Sequence, residues 1–141
     1  SGAPAGARRR SQPPALELAV AVSGLLVAIG GALGAWARFA VSTLLFVPGQ
    51  FPWATLAINI AGSFGIGLLW GMSHQQPWFD QWGRYLLVVG LLGGFTTFSA
   101  FSLETIGLVD GGRVFSAAGY VAASLLGCVA AAWIGQRMTG F

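Results

Sequence analysis

Gly90-Leu91-Leu92-Gly93-Gly94-Phe95-Thr96-Thr97-Phe98-Ser99-Ala100-Phe101-Ser102-Leu103-Glu104 is the stretch on which the fold of this chain turns. It lies inside an apolar run long enough to cross a bilayer, yet it reads badly as one continuous helix. Gly93 and Gly94 are adjacent, and each costs roughly 1 kcal/mol against alanine in a helix interior. Thr96, Thr97, Ser99 and Ser102 follow, and their hydroxyls can bond nearby backbone and compete with the helical ladder. Glu104, a carboxylic acid, closes the segment. Irregular backbone at membrane depth is tolerated only where protein buries it or where it lines a wet cavity. The stretch is therefore expected to handle something polar inside the membrane.

The rest of the chain fits that setting. Of its 141 residues 55% are hydrophobic and 8% charged, whereas a soluble domain carries about 25% charged residues. Mean hydropathy is +0.74. The positive charges are seven arginines, scattered except for Arg8-Arg9-Arg10. That run sits in a tail, residues 1–15, rich in Gly, Ala, Pro, Ser and Gln, and reads as a disordered flank that biases topology rather than as a nucleic-acid site. Cys128 is the one cysteine, so no intrachain disulfide forms. No His/Cys/Asp/Glu cluster has metal-ligand spacing, no phosphate-cradling glycine loop carries its lysine, and the single histidine, His74, falls at a helix end. The chain does not read as an enzyme.

Four membrane spans are expected. The first runs from about Leu16 to Leu45, too long for a signal peptide's apolar region. It carries Gly30-x-x-x-Gly34, which lets helix backbones approach closely, and Arg38 four residues further along the same face. Arg38 either snorkels to the interface or makes a structural bond, or it faces a polar interior. Pro48-Gly49 makes a turn, and Pro52 suits the first turn of the second span, Trp53 to His74. There Thr55, Asn59 and Ser63 recur every four residues as one polar stripe, with Gly67-x-x-x-Gly71 beyond it. A mid-membrane amide must find partners, so Asn59 is either an interhelical clamp or a donor to something passing through. The third span, Gly83 to Val109, exceeds the ~20 residues of a straight crossing, which fits two helices around an unwound patch near Gly93 to Thr97. Asp110-Gly111-Gly112-Arg113 is a tight turn. The fourth span, Val114 to Met138, holds Tyr120, Ser124 and Cys128 at four-residue spacing. Four such helices enclose little by themselves, and an oligomer is expected.

Phe98, Phe101 and Glu104 recur every three residues along one face of the third span, with Ser99 and Ser102 as a neighbouring polar stripe. Two phenylalanines at helical spacing are most often core or lipid-facing residues. Their company here, a helix break, hydroxyls and an acid, points elsewhere.

In this pattern the chain resembles the CrcB/Fluc fluoride channels from about Gly30 to Met138. The resemblance rests on Gly30-Gly31-x-x-Gly34-Ala35-x-x-Arg38, on Pro52-Trp53-x-Thr55-Leu56-x-x-Asn59-x-x-Gly62-Ser63-Phe64, and on Gly93-Gly94-Phe95-Thr96-Thr97-Phe98-Ser99 with Phe101, Ser102 and Glu104 after it. It implies an all-α integral membrane protein with a broken third helix, multi-pass in a bacterial inner membrane. It further implies a dual-topology homodimer of antiparallel subunits, with two fluoride pathways and a structural sodium ion on the two-fold axis. Residue by residue, Phe98 and Phe101 would be the pore phenylalanines, with Asn59 and Thr55 beside them. Tyr120, Ser124, Ser102 and Glu104 would belong to a polar track, Arg38 would stand at the vestibule, and main-chain carbonyls of Gly93 and Thr96 would hold the sodium. Ala100 and Cys128 depart from the family pattern, since each stands where a hydroxyl residue would extend the polar lining.

These implications are physically coherent. The edge of an aromatic ring is the positive end of its quadrupole, so an anion can rest there without being trapped by a full charge. A tightly hydrated anion needs donors at each step, and binding weak enough for release. Dual insertion needs a small arginine bias: Arg84 and Arg137 lie on one face, Arg113 and Arg38 on the other, and the tail's three arginines add to the first. The competing reading is a proton-coupled small multidrug transporter, also built of four helices. Such transporters place an essential acid centrally in the first helix, where this chain has only Glu17 at the edge.

Overall fold

The computed structural model describes residues 14–45, 47, 49–73 and 76–139. Within them the chain forms α1 (Pro14–Leu45), α2 (Trp53–Ser73), a helix of π geometry (Phe79–Leu92), a single turn α3 (Gly93–Phe95), α4 (Phe98–Asp110) and α5 (Val114–Met138). Four stretches are long and apolar enough to cross a membrane: Pro14–Leu45, Trp53–Ser73, Phe79–Asp110 and Val114–Met138. The first and third each have 32 residues, more than the thickness of a bilayer requires, which tilt accommodates. The protein is thus an all-helical, multi-pass membrane protein.

The spans differ from the sequence reading at their ends. Pro14 and Ala15, assigned to the tail, already belong to α1; proline suits a first helical position because its missing N–H has no intrahelical partner there. The rest of the tail, with Arg8, Arg9 and Arg10, lies outside the described residues, as do His74 and Pro48. The third span, expected to begin at Gly83, is already helical from Phe79. Aromatic packing explains the difference: Trp78 stacks with Trp82 at 5.0 Å and meets Phe79 edge-on at 5.9 Å, and the bare backbone of Gly83 receives the Trp78 ring.

Glycines set the helix pairing. A Cβ on Gly30 or Gly34 would strike the Leu86 or Leu91 carbonyl, and one on Gly67 or Gly135 would strike the Ala132 or Phe64 carbonyl. Hence α1 lies backbone-to-backbone on the π-helix, and α2 does the same on α5. In lipid such close van der Waals contact replaces the hydrophobic effect as the driving force between helices. Leu56, Leu108, Ala117 and Tyr120 make a small buried cluster, packed against Phe51 and Phe101. Outside it, Leu16, Leu18, Leu33, Phe39, Leu103 and Leu126 are among many large apolar side chains left exposed, as expected where lipid or a partner covers them.

Two local features position the site. Gly93 and Gly94, expected within the unwound patch, remain helical; Gly94 serves instead to let the Gly31 backbone approach. Extended backbone is confined to Thr96 (φ −76°, ψ 157°) and Thr97 (φ −151°, ψ 117°), and helix resumes at Phe98. The second feature is the α4–α5 turn. Gly112 takes φ +72°, its N–H donates to Val109 O (2.9 Å), and the Arg113 N–H donates to Leu108 O (2.8 Å). That pair of bonds is the glycine-dependent closure common at helix C-termini.

Candidate functional site

Thr96 and Thr97 create the site by withdrawing two amide donors from the helical ladder. In a continuous helix the Gly93 carbonyl would accept from the Thr97 N–H. That N–H instead donates to Asn59 Oδ1 at 2.8 Å, while Asn59 Nδ2 donates to Thr97 O at 3.0 Å. Likewise the Thr96 carbonyl would accept from the Ala100 N–H, which donates instead to Thr97 Oγ1 at 3.2 Å. Thr97 is therefore the N-cap of α4, a position that favours threonine because its hydroxyl satisfies an orphan amide. The consequence is a polar hinge in which Gly93 and Thr96 lose their regular helical donors. Asn59, from α2, stands in for a missing peptide.

Beside this hinge lies a cleft of about 370 Å³, lined among others by Asn59, Gly93, Thr96, Phe98, Phe101 and Ser124. The Phe98 and Phe101 rings lie 5.3 Å apart at 42°. Phe98 is 76% exposed, whereas Ser124 is 7% exposed and its Oγ has no hydrogen-bond partner. A buried hydroxyl without a partner carries a desolvation penalty of about 1–3 kcal/mol, so a polar occupant of the cleft would relieve it. Asn59 contributes as well, because its amide carries a second N–H beyond the one given to Thr97.

A second polar group sits one ring further on. Phe101 packs on Tyr120 at 5.2 Å. The Tyr120 hydroxyl donates to Glu104 Oε2, and Thr55 Oγ1 donates to Glu104 Oε1, both at 2.6 Å. Tyr120 is fully buried and Thr55 nearly so. Three helices, α2, α4 and α5, thus meet on one carboxylate, and a continuous run Phe98–Phe101–Tyr120–Glu104 links it to the cleft.

Of the residues singled out from sequence, Phe98, Phe101, Asn59, Ser124, Gly93 and Thr96 gather at the cleft. Thr55, Tyr120 and Glu104 gather at the carboxylate. Ser102 does not join them: its Oγ donates to Phe98 O at 2.9 Å within its own helix, and it lines neither the cleft nor the cavity beside Glu104. Arg38 on α1 lines neither of them either. Two contributors were missed, Thr97 and Phe51. Thr97 had a legible signal, a threonine ahead of Phe98-Ser99 where a helix restarts. Cys128, expected on the stripe of Tyr120 and Ser124, lines the cleft one turn beyond Ser124. Phe51, edge-on to Tyr120 at 5.4 Å, precedes the second span and had no periodic signal at all.

The family model described as "CrcB-like protein, Camphor Resistance (CrcB)" matches residues 25–136. The chain belongs to the CrcB family. Among similar CrcB relatives, a protein of Bordetella petrii is 45% identical over 111 residues, covering 79% of this chain and 86% of its own. One of Idiomarina loihiensis is 47% identical over 114 residues (79% and 88%), and one of Azotobacter vinelandii 45% over 117 residues (82% and 94%). Each of the three is named a fluoride-specific ion channel, FluC. The matched CrcB region includes every residue of the cleft and of the Glu104 cluster. Membership of a channel family also sets aside both enzymatic chemistry and the multidrug-transporter reading; in α1 the acid is Glu17, exposed in the first turn.

Proposed function

We propose that this protein is a passive, fluoride-selective channel that lets fluoride leave the cell across the bacterial inner membrane. The observation that carries the reading is the cleft in which two phenylalanine rings, an amide N–H and a partnerless buried hydroxyl converge. Ring edges and neutral donors together suit a small, hard anion. They replace part of its hydration without a fixed positive charge that would hold it. Fluoride would enter along Phe98, exchange water for the Asn59 and Ser124 donors, and pass Phe101 toward Tyr120 and Thr55, whose single O–H donors would turn from Glu104 to the anion.

The working unit is an antiparallel homodimer with two such pathways. Support for a partner comes from the exposed apolar residues that line the cleft, Phe98, Leu125 and Val129, and from the balance of arginines outside the tail, Arg84 and Arg137 on one membrane face against Arg38 and Arg113 on the other. A sodium ion fits the Gly93 and Thr96 carbonyls, because the hinge diverts both of their helical donors. Among the described residues no cluster of three His, Cys, Asp or Glu offers an alternative cation site. When bound, the ion would offset repulsion between facing carbonyl dipoles of two subunits. The third span then works as two half-helices, π-helix with α3 and then α4, joined at Thr96 and Thr97. Arg38 would stand at the vestibule of the dimer.

The test is efflux from liposomes loaded with potassium fluoride, potassium chloride or a cationic drug. Fluoride should leave only when a potassium ionophore allows charge balance, and the other two should stay. Equal chloride flux, or drug efflux driven by a proton gradient, would overturn the reading.

A further inference from the structure

The α4–α5 turn faces a second cavity, of about 260 Å³, between it and the segment that leads into α2. Glu104 lines that cavity, and so do Phe51, Trp53, Gly49 and Arg113. The cavity therefore reaches the carboxylate cluster from the side away from the Phe98 cleft. Phe51 connects the two, since it lines the cavity and packs edge-on against Tyr120.

Arg113 is held in this place from both ends. Its main-chain N–H is fixed by Leu108 O at 2.8 Å, which closes the turn. Its guanidinium reaches across to the α1–α2 segment, where NH1 donates to Gly49 O at 2.8 Å. A guanidinium has five N–H donors, so a single carbonyl leaves most of its donor capacity for the cavity. Among the described residues that line this cavity, Arg113 is the one with a positive charge. Glu104 is the one with a negative charge. An anion approaching the hydroxyls of Thr55 and Tyr120 by this route meets that carboxylate, and a cation in the same mouth offsets the repulsion. Arg113 is exposed to solvent. Its field therefore acts through water, attracting an anion without holding it, and is screened by salt.

We propose that Arg113 is an electrostatic collector at the mouth of the anion pathway. It offsets the charge of Glu104 and raises the local concentration of the permeating anion at the Thr55–Tyr120 end. The proposal rests on the channel reading above and adds a residue and an entrance to it.

The test measures fluoride efflux from liposomes at two ionic strengths set with potassium glutamate, whose organic anion is far bulkier than fluoride. At about 10 mM the Debye length is about 30 Å, and at about 1 M it is about 3 Å. Wild type, Arg113→Lys, Arg113→Gln and Arg113→Glu are compared per folded dimer recovered by gel filtration. At low salt, Arg113→Gln should lower flux about threefold and Arg113→Glu about tenfold, as expected for one and two unit charges acting through water over several ångströms. Arg113→Lys should stay within about a factor of 1.5 of wild type, and all four should converge at high salt. Equal loss in Arg113→Lys and Arg113→Gln at both ionic strengths would reduce Arg113 to a structural tie onto Gly49. Flux in Arg113→Gln equal to wild type at low salt would overturn the proposal alone. Absence of fluoride flux in the wild type would overturn the channel reading, and this proposal with it.

Discussion

Replacing Asn59 by leucine removes the side chain that substitutes for a peptide at the Thr97 hinge. Two bonds vanish together, the 2.8 Å bond from the Thr97 N–H and the 3.0 Å bond to Thr97 O. Thr97 is 8% exposed, so water does not readily replace either partner. Each buried backbone group left unpaired costs about 1–3 kcal/mol, or about 2–6 kcal/mol for the pair. At a factor of ten per ~1.4 kcal/mol, local opening of the hinge should rise between about 30-fold and about 20,000-fold. Amide hydrogen exchange at Thr97 and Ala100 in detergent micelles reads this directly, since both N–H groups depend on the hinge. Asn59→Asp separates the two bonds. It keeps an acceptor for the Thr97 N–H but sets a carboxylate oxygen against Thr97 O, so it should protect the Thr97 amide better than leucine does. Exchange in Asn59→Leu no faster than in wild type would refute the idea that α2 holds the hinge.

Phe98→Ile and Phe101→Ile keep apolar bulk and remove the ring edge, so each should preserve dimer assembly by gel filtration and cut fluoride flux at least tenfold; wild-type flux in both would remove the rings from the pathway. Glu104→Ala leaves the Thr55 and Tyr120 hydroxyls buried without an acceptor, a cost of about 1–3 kcal/mol each. Its thermal unfolding in detergent should therefore fall well below that of Glu104→Gln, which retains one carbonyl acceptor. The same order is expected in flux, and equal, complete loss in both would point to a required negative charge instead. Sodium should be structural: fluoride currents should reverse at the fluoride equilibrium potential whatever the sodium gradient, and a fixed sodium-to-fluoride transport ratio would contradict this.

Much of this protein was legible in the order of its residues. Length, apolar content and the spacing of Pro48-Gly49, Gln75-Gln76 and Gly111-Gly112 separate four spans, because only about 20 apolar residues are needed to cross a bilayer and turns need particular backbones. The hydroxyls after Gly94 announced a disturbance in the third span, since threonine and serine compete with helical hydrogen bonds. Where the disturbance falls was a tertiary matter. Gly93 and Gly94 were the weaker helix formers, yet they stay helical because Gly94 lies against the Gly31 backbone. The two threonines open because Asn59, 38 residues away, takes both backbone groups of Thr97. The same holds for Glu104. Its residue type and depth were visible, but its engagement by Thr55 and Tyr120 at 2.6 Å depends on α2 and α5 packing glycine-close at Gly67 and Gly135. Local propensity acts over a few residues and is worth about a kilocalorie per position; partners for buried polar groups are worth as much or more, and only the folded chain supplies them.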